Sequence, residues 1–359
     1  MSTTSPQTNI ARETLIPTDK RVVARVVFLY VGQGSSILVL FRKDNNYRSI
    51  LVDSNLDRGA RGIDVPRLMK DLLGEMSLYA FVNTHPHDDH LCGIKELDEA
   101  VTISQVWHSN HKPSKKHGAR YDDLLAIIKR LDTSNVREIL GSNKSEKLGD
   151  ADLHFFAPAT HVNDDVNESK PDERYARIHE NCTVMKVGYL SQGVLITGDA
   201  DLVAFREHIT HYHRDRLGAY VLDASHHGSR SFFVEEEGDD PYLDHIDAIS
   251  PQFVIISAPK QSESRHDHPH DFAVRQYEKY AKVLHMGPKR ESFICDILDD
   301  GTANDPLSDE GKLSKAYGLG DGNKDGGDDG GGGSGGKRED HGPFVKPSGP
   351  PNPRDVRYA

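Results

Sequence analysis

Tyr79-Ala80-Phe81-Val82-Asn83 runs directly into Thr84-His85-Pro86-His87-Asp88-Asp89-His90. The first part is short and apolar, the pattern of a buried strand. The second carries imidazole and carboxylate groups, the ligand types of zinc, manganese and iron. A chain turning at the C-terminal end of a strand can aim near neighbours at one point. The spacing suggests two ions side by side, His85 and His87 on one, Asp89 and His90 on the other. The alternative is a solvated, histidine-rich loop. Four other strand-like runs argue against it, because they end in the same way. Asp53 closes Ile50-Leu51-Val52, and Thr197-Gly198-Asp199 closes Val194-Leu195-Ile196. Ser225-His226-His227-Gly228-Ser229 follows the run 220–224, and His266-Asp267-His268-Pro269-His270 follows the run 253–257. Ligand-type residues collected at the carboxyl ends of strands mark a binding edge.

Around these points the sequence alternates strand-like and helix-like segments. Strands are expected over 22–30, 36–41, 49–52, 79–83, 101–108, 153–156, 183–187, 194–197, 220–224, 253–257 and 293–298. Gly32-Gln33-Gly34 reads as a hairpin turn between the first two. Asp64 caps a helix with Pro66 in its first turn, reaching about residue 74. Further helices are expected from about residue 93, over 121–131, 202–217 and 272–282. Strand pairs followed by helices predict an α/β fold with sheets covered by helices. One domain is expected over 21–300. A disordered leader is expected over 1–20, and a disordered Gly/Asp/Pro-rich tail over 301–359, where the composition offers little to bury.

The 359 residues carry a net charge of −12. An acidic body argues against a broad nucleic-acid platform. It leaves a phosphate substrate open, since bound dications reverse the local field. Three cysteines without paired spacing, Cys92, Cys182 and Cys295, fit a reducing, cytoplasmic setting and argue against a disulfide framework or a cysteine-based zinc site. No apolar stretch approaches the roughly 20 residues of a membrane helix, so no membrane insertion is expected. Lys112, Lys115, Lys116, His117 and Arg120 form a basic patch, read first as a solvated loop and second as a phosphate contact. His208, His211 and His213 share one expected helix and read as a surface face.

The segments named above, together with Tyr30-Val31-Gly32-Gln33-Gly34-Ser35, Asn181-Cys182-Thr183-Val184 and His268-Pro269, resemble the motifs of the metallo-β-lactamase superfamily. They follow the family's order from residue 22 to about 298. Within it, Val31-Gly32-Gln33-Gly34 and His226-His227-Gly228-Ser229 make the chain similar to the soluble hydrolase domain of the competence protein ComEC and its stand-alone relatives. The resemblance implies a four-layer αββα sandwich with a dinuclear metal site at one edge. It implies two divalent ions, zinc first and manganese second. His85 and His87 would hold one, Asp89 and His90 the other, and Asp199 would bridge them. His226 would complete the second site, with His227 beside it as ligand or substrate contact. Asp53 would orient a ligand histidine from behind. The superfamily usually adds a histidine to the first ion, just before the bridging aspartate's strand. His179 can serve, whereas ComEC-like members tend to place asparagine there, here Asn181. Asp89, or a water it holds, would handle a proton. His268 would contact the oxyanion or protonate the leaving group.

Two such ions, about 3.5–4 Å apart, activate a shared water as nucleophile and offset charge in the transition state. That chemistry suits several substrates. The first reading is a phosphodiesterase or nuclease, with single-stranded nucleic acid among its substrates. The second is a small-molecule hydrolase for a phosphocholine-type ester, a lactone or a thioester. The third is a catalytically weak scaffold that recruits a protein partner through its C-terminal tail.

Overall fold

The computed structural model describes residues 6–114 and 118–320. The expectations for residues 1–5, for Lys115, Lys116 and His117, and for the tail from 321 onward lie outside the described residues.

Along the chain the strands are β1 (Val22–Phe28), β2 (Ile37–Lys43), β3 (Asn46–Val52), β4 (Ala80–Asn83), β5 (Val106–His108) and β6 (Val136–Glu138). There follow β7 (Glu146–Leu148), β8 (Ala151–Ala157), β9 (Val184–Tyr189), β10 (Gln192–Ile196), β11 (Val221–Asp223), β12 (Phe253–Ile256) and β13 (Lys282–His285). The chain then returns as β14 (Phe293–Leu298) and β15 (Leu307–Ser308). One sheet has the order β15-β14-β1-β2-β3-β4-β5-β6, the other β13-β12-β11-β10-β9-β8-β7. Strands β3 to β6 run parallel, as do β10 to β13. Their carboxyl ends therefore share one edge within each sheet.

Alternating side chains sort into two cores. Val194 and Ile196 of β10, and Phe253 and Ile255 of β12, join a core that includes Val26, Val39 and Leu51 of the first sheet. Leu195, Val254 and Ile256 face the other way, against Phe205, Leu217, Ile249 and Tyr277. A period of two on strands buried on both faces explains their unbroken apolar runs. Helix α2 (Val65–Leu73) covers the first sheet with Leu68, Met69 and Leu72. Asp64 accepts from the Arg67 N–H as its cap, with Pro66 in the first turn, as the sequence predicts. The layers are those of the α/β sandwich expected.

The ends differ from expectation. Residues Pro6–Leu15, read as loose, form helix α1. Ala11 and Leu15, four apart and so on one face, are fully buried. Arg25 donates to the carbonyls of Thr14 and Leu15 at 3.3 and 3.1 Å, tying down the end of α1. Past residue 300, β15 and the helix Lys312–Tyr317 belong to the same body, with Leu313 and Tyr317 buried. Tyr317 Oη donates to the Gln7 carbonyl at 2.7 Å, so the two ends hold each other. The expected helix over 272–282 stops at Tyr277, and Lys282 opens β13 instead. The expected strand over 101–108 starts only at Val106, since Ile103 makes just an isolated bridge to Leu78. Among the described residues no helix is long and apolar enough to cross a membrane.

Candidate metal centre

Strand β4 delivers Thr84 to His90 at the carboxyl edge, and a short helix, Asp88–Leu91, turns the chain back. His85 and His90 are fully buried. Across from them, β10 delivers Asp199, which is 1 % exposed. Gly198 at φ +51° makes that turn, and a Cβ there would lie 2.8 Å from Thr84 and from Cys182 Sγ, so only glycine fits. Strand β11 delivers His226 and His227, both in the left-handed region at φ +50° and +57°.

Two clusters form. In the first, His85 Nε2 and His87 Nδ1 are 3.1 Å apart, and His179 Nε2 lies 3.3 Å from His87 Nδ1. Asp199 Oδ2 is 3.6 Å from His85 Nε2 and 3.9 Å from His179 Nε2. In the second, His90 Nε2 and His227 Nε2 are 3.2 Å apart. Asp199 Oδ1 is 3.1 Å from the former and 3.4 Å from the latter, and Asp89 Oδ2 is 3.4 Å from His227 Nε2. Ligands about 2.0–2.1 Å from a tetrahedral zinc ion are separated by roughly 3.4 Å, so both clusters have the spacing of a coordination shell. Asp199 turns one oxygen to each.

The protonation pattern tests the fit of a cation. His90 Nδ1 donates to Asp53 Oδ2 at 2.7 Å, and His227 Nδ1 donates to the Ser257 carbonyl at 3.0 Å. A neutral imidazole has one N–H, so both Nε2 atoms are lone pairs. They face each other and the carboxylate oxygen Asp199 Oδ1, which is buried with no hydrogen-bond donor. Lone-pair atoms pointing at one place attract positive charge, which a proton on a ring or a metal ion between them would supply. Burial opposes charge on His90, yet Asp199, Asp53 and Asp89 outweigh it and favour positive charge at this point, which a proton supplies when no metal is bound. Burial pushes His85 well below its ordinary value and His179 down to about 3, which leaves their rings neutral and able to ligate.

Behind the clusters, Asp53 is fully buried and accepts from four donors. Besides His90, these are the Thr84 N–H at 2.8 Å, the Thr84 hydroxyl at 2.6 Å and Asn83 Nδ2 at 3.2 Å. Because the Thr84 hydroxyl gives its proton to Asp53, it can only accept from His85 Nδ1, 3.2 Å away. One carboxylate thus sets the tautomers of His90 directly and of His85 through Thr84. The sequence reading missed Thr84 and Ser257, although both stand at strand ends next to named residues.

His227, not His226, joins Asp89 and His90. The two left-handed residues turn His227 inward, where it is 3 % exposed. His226 Nε2 lies 3.5 Å from Asp199 Oδ2, on the side of the first cluster, and its Nδ1 meets Ser231 Oγ at 3.1 Å. His179 follows the helix Pro171–Ala176 on a turn fixed by Arg177, which pairs with Glu180 at 2.8 Å and Asp165 at 2.7 Å. Asn181 does not face the clusters with its amide. Its side-chain bonds go to Asn163 at 3.1 Å and His111 at 3.3 Å. His268, 5 % exposed, puts its ring 5.2 Å from that of His226 and 6.2 Å from that of His227. Gly118 lies against Asp88, too close for a Cβ, so the chain at Gly118 passes beside the loop that carries His85 to His90. His208 meets His161 and His213 meets Phe156, at ring distances of 5.4 and 5.3 Å, so these two histidines do not converge.

Comparison with known proteins follows the same lines. No curated protein matches the chain. Among solved structures, a metallo-beta-lactamase from Cronobacter sakazakii is 20% identical over 47% of this chain and 60% of that chain, with a TM-score of 0.25. An archaeal metallo-beta-lactamase superfamily protein from Sulfolobus tokodaii is 15% identical over 48% of this chain and 62% of that one, with a TM-score of 0.26. A subclass B3 metallo-beta-lactamase of Bradyrhizobium japonicum is 14% identical over 48% and 61%, with a TM-score of 0.27. The match thus spans about three-fifths of the length of each of these proteins. The family profile described as Metallo-beta-lactamase superfamily matches residues 30–231, a span that runs from the Gly-Gln-Gly turn past both metal loops and the His226-His227 pair. The chain belongs to the metallo-beta-lactamase superfamily.

Proposed function

We propose that this chain is a dinuclear metal-dependent hydrolase whose substrate is a phosphodiester, polynucleotides included. The observation that carries the two-ion reading is Asp199, which offers Oδ2 to the group of His85, His87 and His179 and Oδ1 to the group of Asp89, His90 and His227. When bound, the ions supply an activated water and neutralise charge on the substrate. Imidazole and carboxylate donors at tetrahedral spacing favour zinc, with manganese second. Asp89, at the mouth of the second group, is the residue to receive a proton from the attacking water. His226 and His268 flank the groups and supply hydrogen bonds to substrate oxygens.

The phosphodiester class is supported by the ComEC-like pairing of His226-His227-Gly228-Ser229 with His268-Pro269. A phosphoryl group offers more acceptor oxygens to these donors than a lactone carbonyl does. The run of basic residues in the sequence from Lys112 to Arg120 suits a second phosphate. A cytoplasmic setting fits the three free cysteines, Cys92, Cys182 and Cys295. The second reading, a small-molecule hydrolase, is favoured by the net charge of −12. Metal analysis of the purified chain, followed by a panel of bis-p-nitrophenyl phosphate, single-stranded DNA, RNA, a lactone and a thioester, decides between them. Diesters should be cleaved fastest. Lactone or thioester turnover without diester cleavage, in fully metallated protein, gives the case to the second reading.

A further inference from the structure

Gln33, in the turn between β1 and β2, is 8 % exposed. Its backbone is pinned. Its N–H donates to Asp57 Oδ2 at 3.1 Å and its carbonyl accepts from Asn55 Nδ2 at 2.5 Å. Gly32 and Gly34 flank it at φ +83° and +133°, and a Cβ on Gly34 would meet the Asp89 carbonyl at 2.4 Å. Glycine on both sides lets this turn lie against the metal loop with only the Gln33 side chain projecting.

That side chain bridges two residues of the loop after β12. Ser264 Oγ lies 2.9 Å from Gln33 Oε1, and Gln33 Nε2 lies 3.2 Å from His268 Nδ1. The two ends of an amide are alike in shape, so its direction follows from its partners. Ser264 decides it. The backbone N–H groups of His266 and His268 reach Ser264 Oγ at 3.2 and 3.0 Å. Backbone N–H groups only donate, so both lone pairs of the hydroxyl are occupied and its single proton goes to Gln33. The end of the amide that accepts it is the oxygen. The NH₂ end therefore faces His268, and the nitrogen it donates to, Nδ1, is a lone pair. Neutral His268 then carries its proton on Nε2.

We propose that Gln33, oriented by Ser264, is a positioning residue that fixes His268 as the Nε2–H tautomer, so that His268 offers the substrate a hydrogen-bond donor and not a lone pair. A metal ligand needs the opposite. The relay accounts for a histidine, His268, that lies beside the clusters and joins neither of them. A fixed N–H beside residues that would hold two ions suits an oxygen that gains negative charge, either a phosphoryl oxygen or that of the leaving group. The tautomer stands on geometry alone. Its catalytic consequence rests on the hydrolase reading above.

The test uses the full chain labelled with ¹⁵N-histidine. Long-range ¹H–¹⁵N spectra distinguish the tautomers by which ring nitrogen is pyrrole-like, and His268→Gln assigns the resonances. The Nε2–H pattern is expected in the native protein. In Gln33→Glu the carboxylate accepts only, so the proton should move to Nδ1. Two ions should still bind, kcat on bis-p-nitrophenyl phosphate should fall about 10²-fold, and KM should stay within about twofold. Ser264→Ala frees the amide to turn and should give a mixed tautomer with a smaller loss, which keeps the test available if Gln33→Glu folds poorly. An Nδ1–H pattern in the native protein overturns the proposal. An inverted tautomer in Gln33→Glu with unchanged kcat overturns its catalytic part. An Nε2–H pattern in a metallated protein that hydrolyses nothing upholds the positioning and refutes the hydrolase reading instead.

Discussion

Asp53→Asn changes one oxygen of a buried carboxylate to NH₂ and leaves the shape alone. Oδ1 receives the Thr84 N–H at 2.8 Å, a backbone donor that cannot accept, and Asn83 Nδ2 at 3.2 Å, whose amide is held in that orientation by its bond to the His85 carbonyl at 2.8 Å, so the new amide must keep its oxygen at that position. Its NH₂ then replaces Oδ2, opposite the Thr84 hydroxyl at 2.6 Å and His90 Nδ1 at 2.7 Å. The hydroxyl can rotate. His90 has to accept at Nδ1, which sends its proton to Nε2, the atom 3.2 Å from His227 Nε2 and 3.1 Å from Asp199 Oδ1. A protonated Nε2 cannot ligate. Loss of such a supporting partner typically weakens a metal site 10–100-fold, about 1.4–2.7 kcal/mol. The first cluster reaches Asp53 only through Thr84, whose rotated hydroxyl can still accept from His85. The expected result is therefore one weakened site and one nearly unchanged. Chelator-competition titration of metal-free protein with zinc, fitted to two sites, measures both. Two affinities within twofold of the native values in a folded variant would refute the tautomer argument. An equal loss at both sites would refute the separation of the clusters.

Other outcomes follow from the same structure. Asp199→Ala should lower the zinc content below two per chain, measured by elemental analysis, and abolish hydrolysis; two retained ions would show that Asp199 does not bridge. Truncation after residue 300 removes Leu313 and Tyr317, each worth about 1.5–3 kcal/mol of burial, and should lower Tm by on the order of 10 °C, whereas truncation after 320 serves as the matched control. His245 is fully buried, with the Phe232 ring centroid 4.2 Å away and no hydrogen-bond partner for either ring nitrogen, and burial pushes it down to about 3. Its folded-state value lies below the unfolded value of 6.5, so the stability it contributes is complete above about pH 6.5 and is lost as pH falls toward 3. Between pH 7 and 5 the native protein should lose about 2 kcal/mol that His245→Leu does not lose, and parallel urea curves at the two pH values for both proteins would sink that account. Cleavage of single-stranded DNA should exceed that of a simple diester at low salt and lose the advantage as salt rises, as phosphate contacts release counterions; a salt-independent ratio would remove the basic stretch from the site.

The layers and the edge that carries the centre were legible because their signals are local. Apolar runs such as Val194-Leu195-Ile196 followed at once by Asp199 need no distant information. What the sequence hid depends on contacts far along the chain. Residues 6–15 are polar enough to read as a leader, and only the buried face of Ala11 and Leu15, with Arg25 on the carbonyls beyond, makes them a helix. The helix expected to reach 282 ends at Tyr277, and 282–285 becomes a strand because it pairs with β12. The choice between His226 and His227 turned on two consecutive left-handed residues, a backbone state with no side-chain signature in histidine. His179 depends on the turn that Arg177 holds with Asp165, twelve positions earlier. Asn181 carried the expected residue type at the expected place, yet its amide is taken up by Asn163 and His111.

The return of β14 to pair with β1 also sets a timetable for synthesis. Strand β1 sits between β2 and β14, and its central Arg25 reaches Asp296 through two bonds of 2.6 and 2.8 Å across 271 positions. At about 5–20 residues per second, the ribosome needs roughly 15–50 s to make the partner strand after β1 emerges. Throughout that interval Val22-Val23-Ala24-Arg25-Val26-Val27-Phe28 has an open edge, the kind of template that recruits other nascent chains. A cation in the middle of so apolar a segment discourages that pairing. Arg25 thus guards the strand while it is unfinished, and becomes a link to the last strands only once the carboxylate of Asp296 arrives to neutralise it.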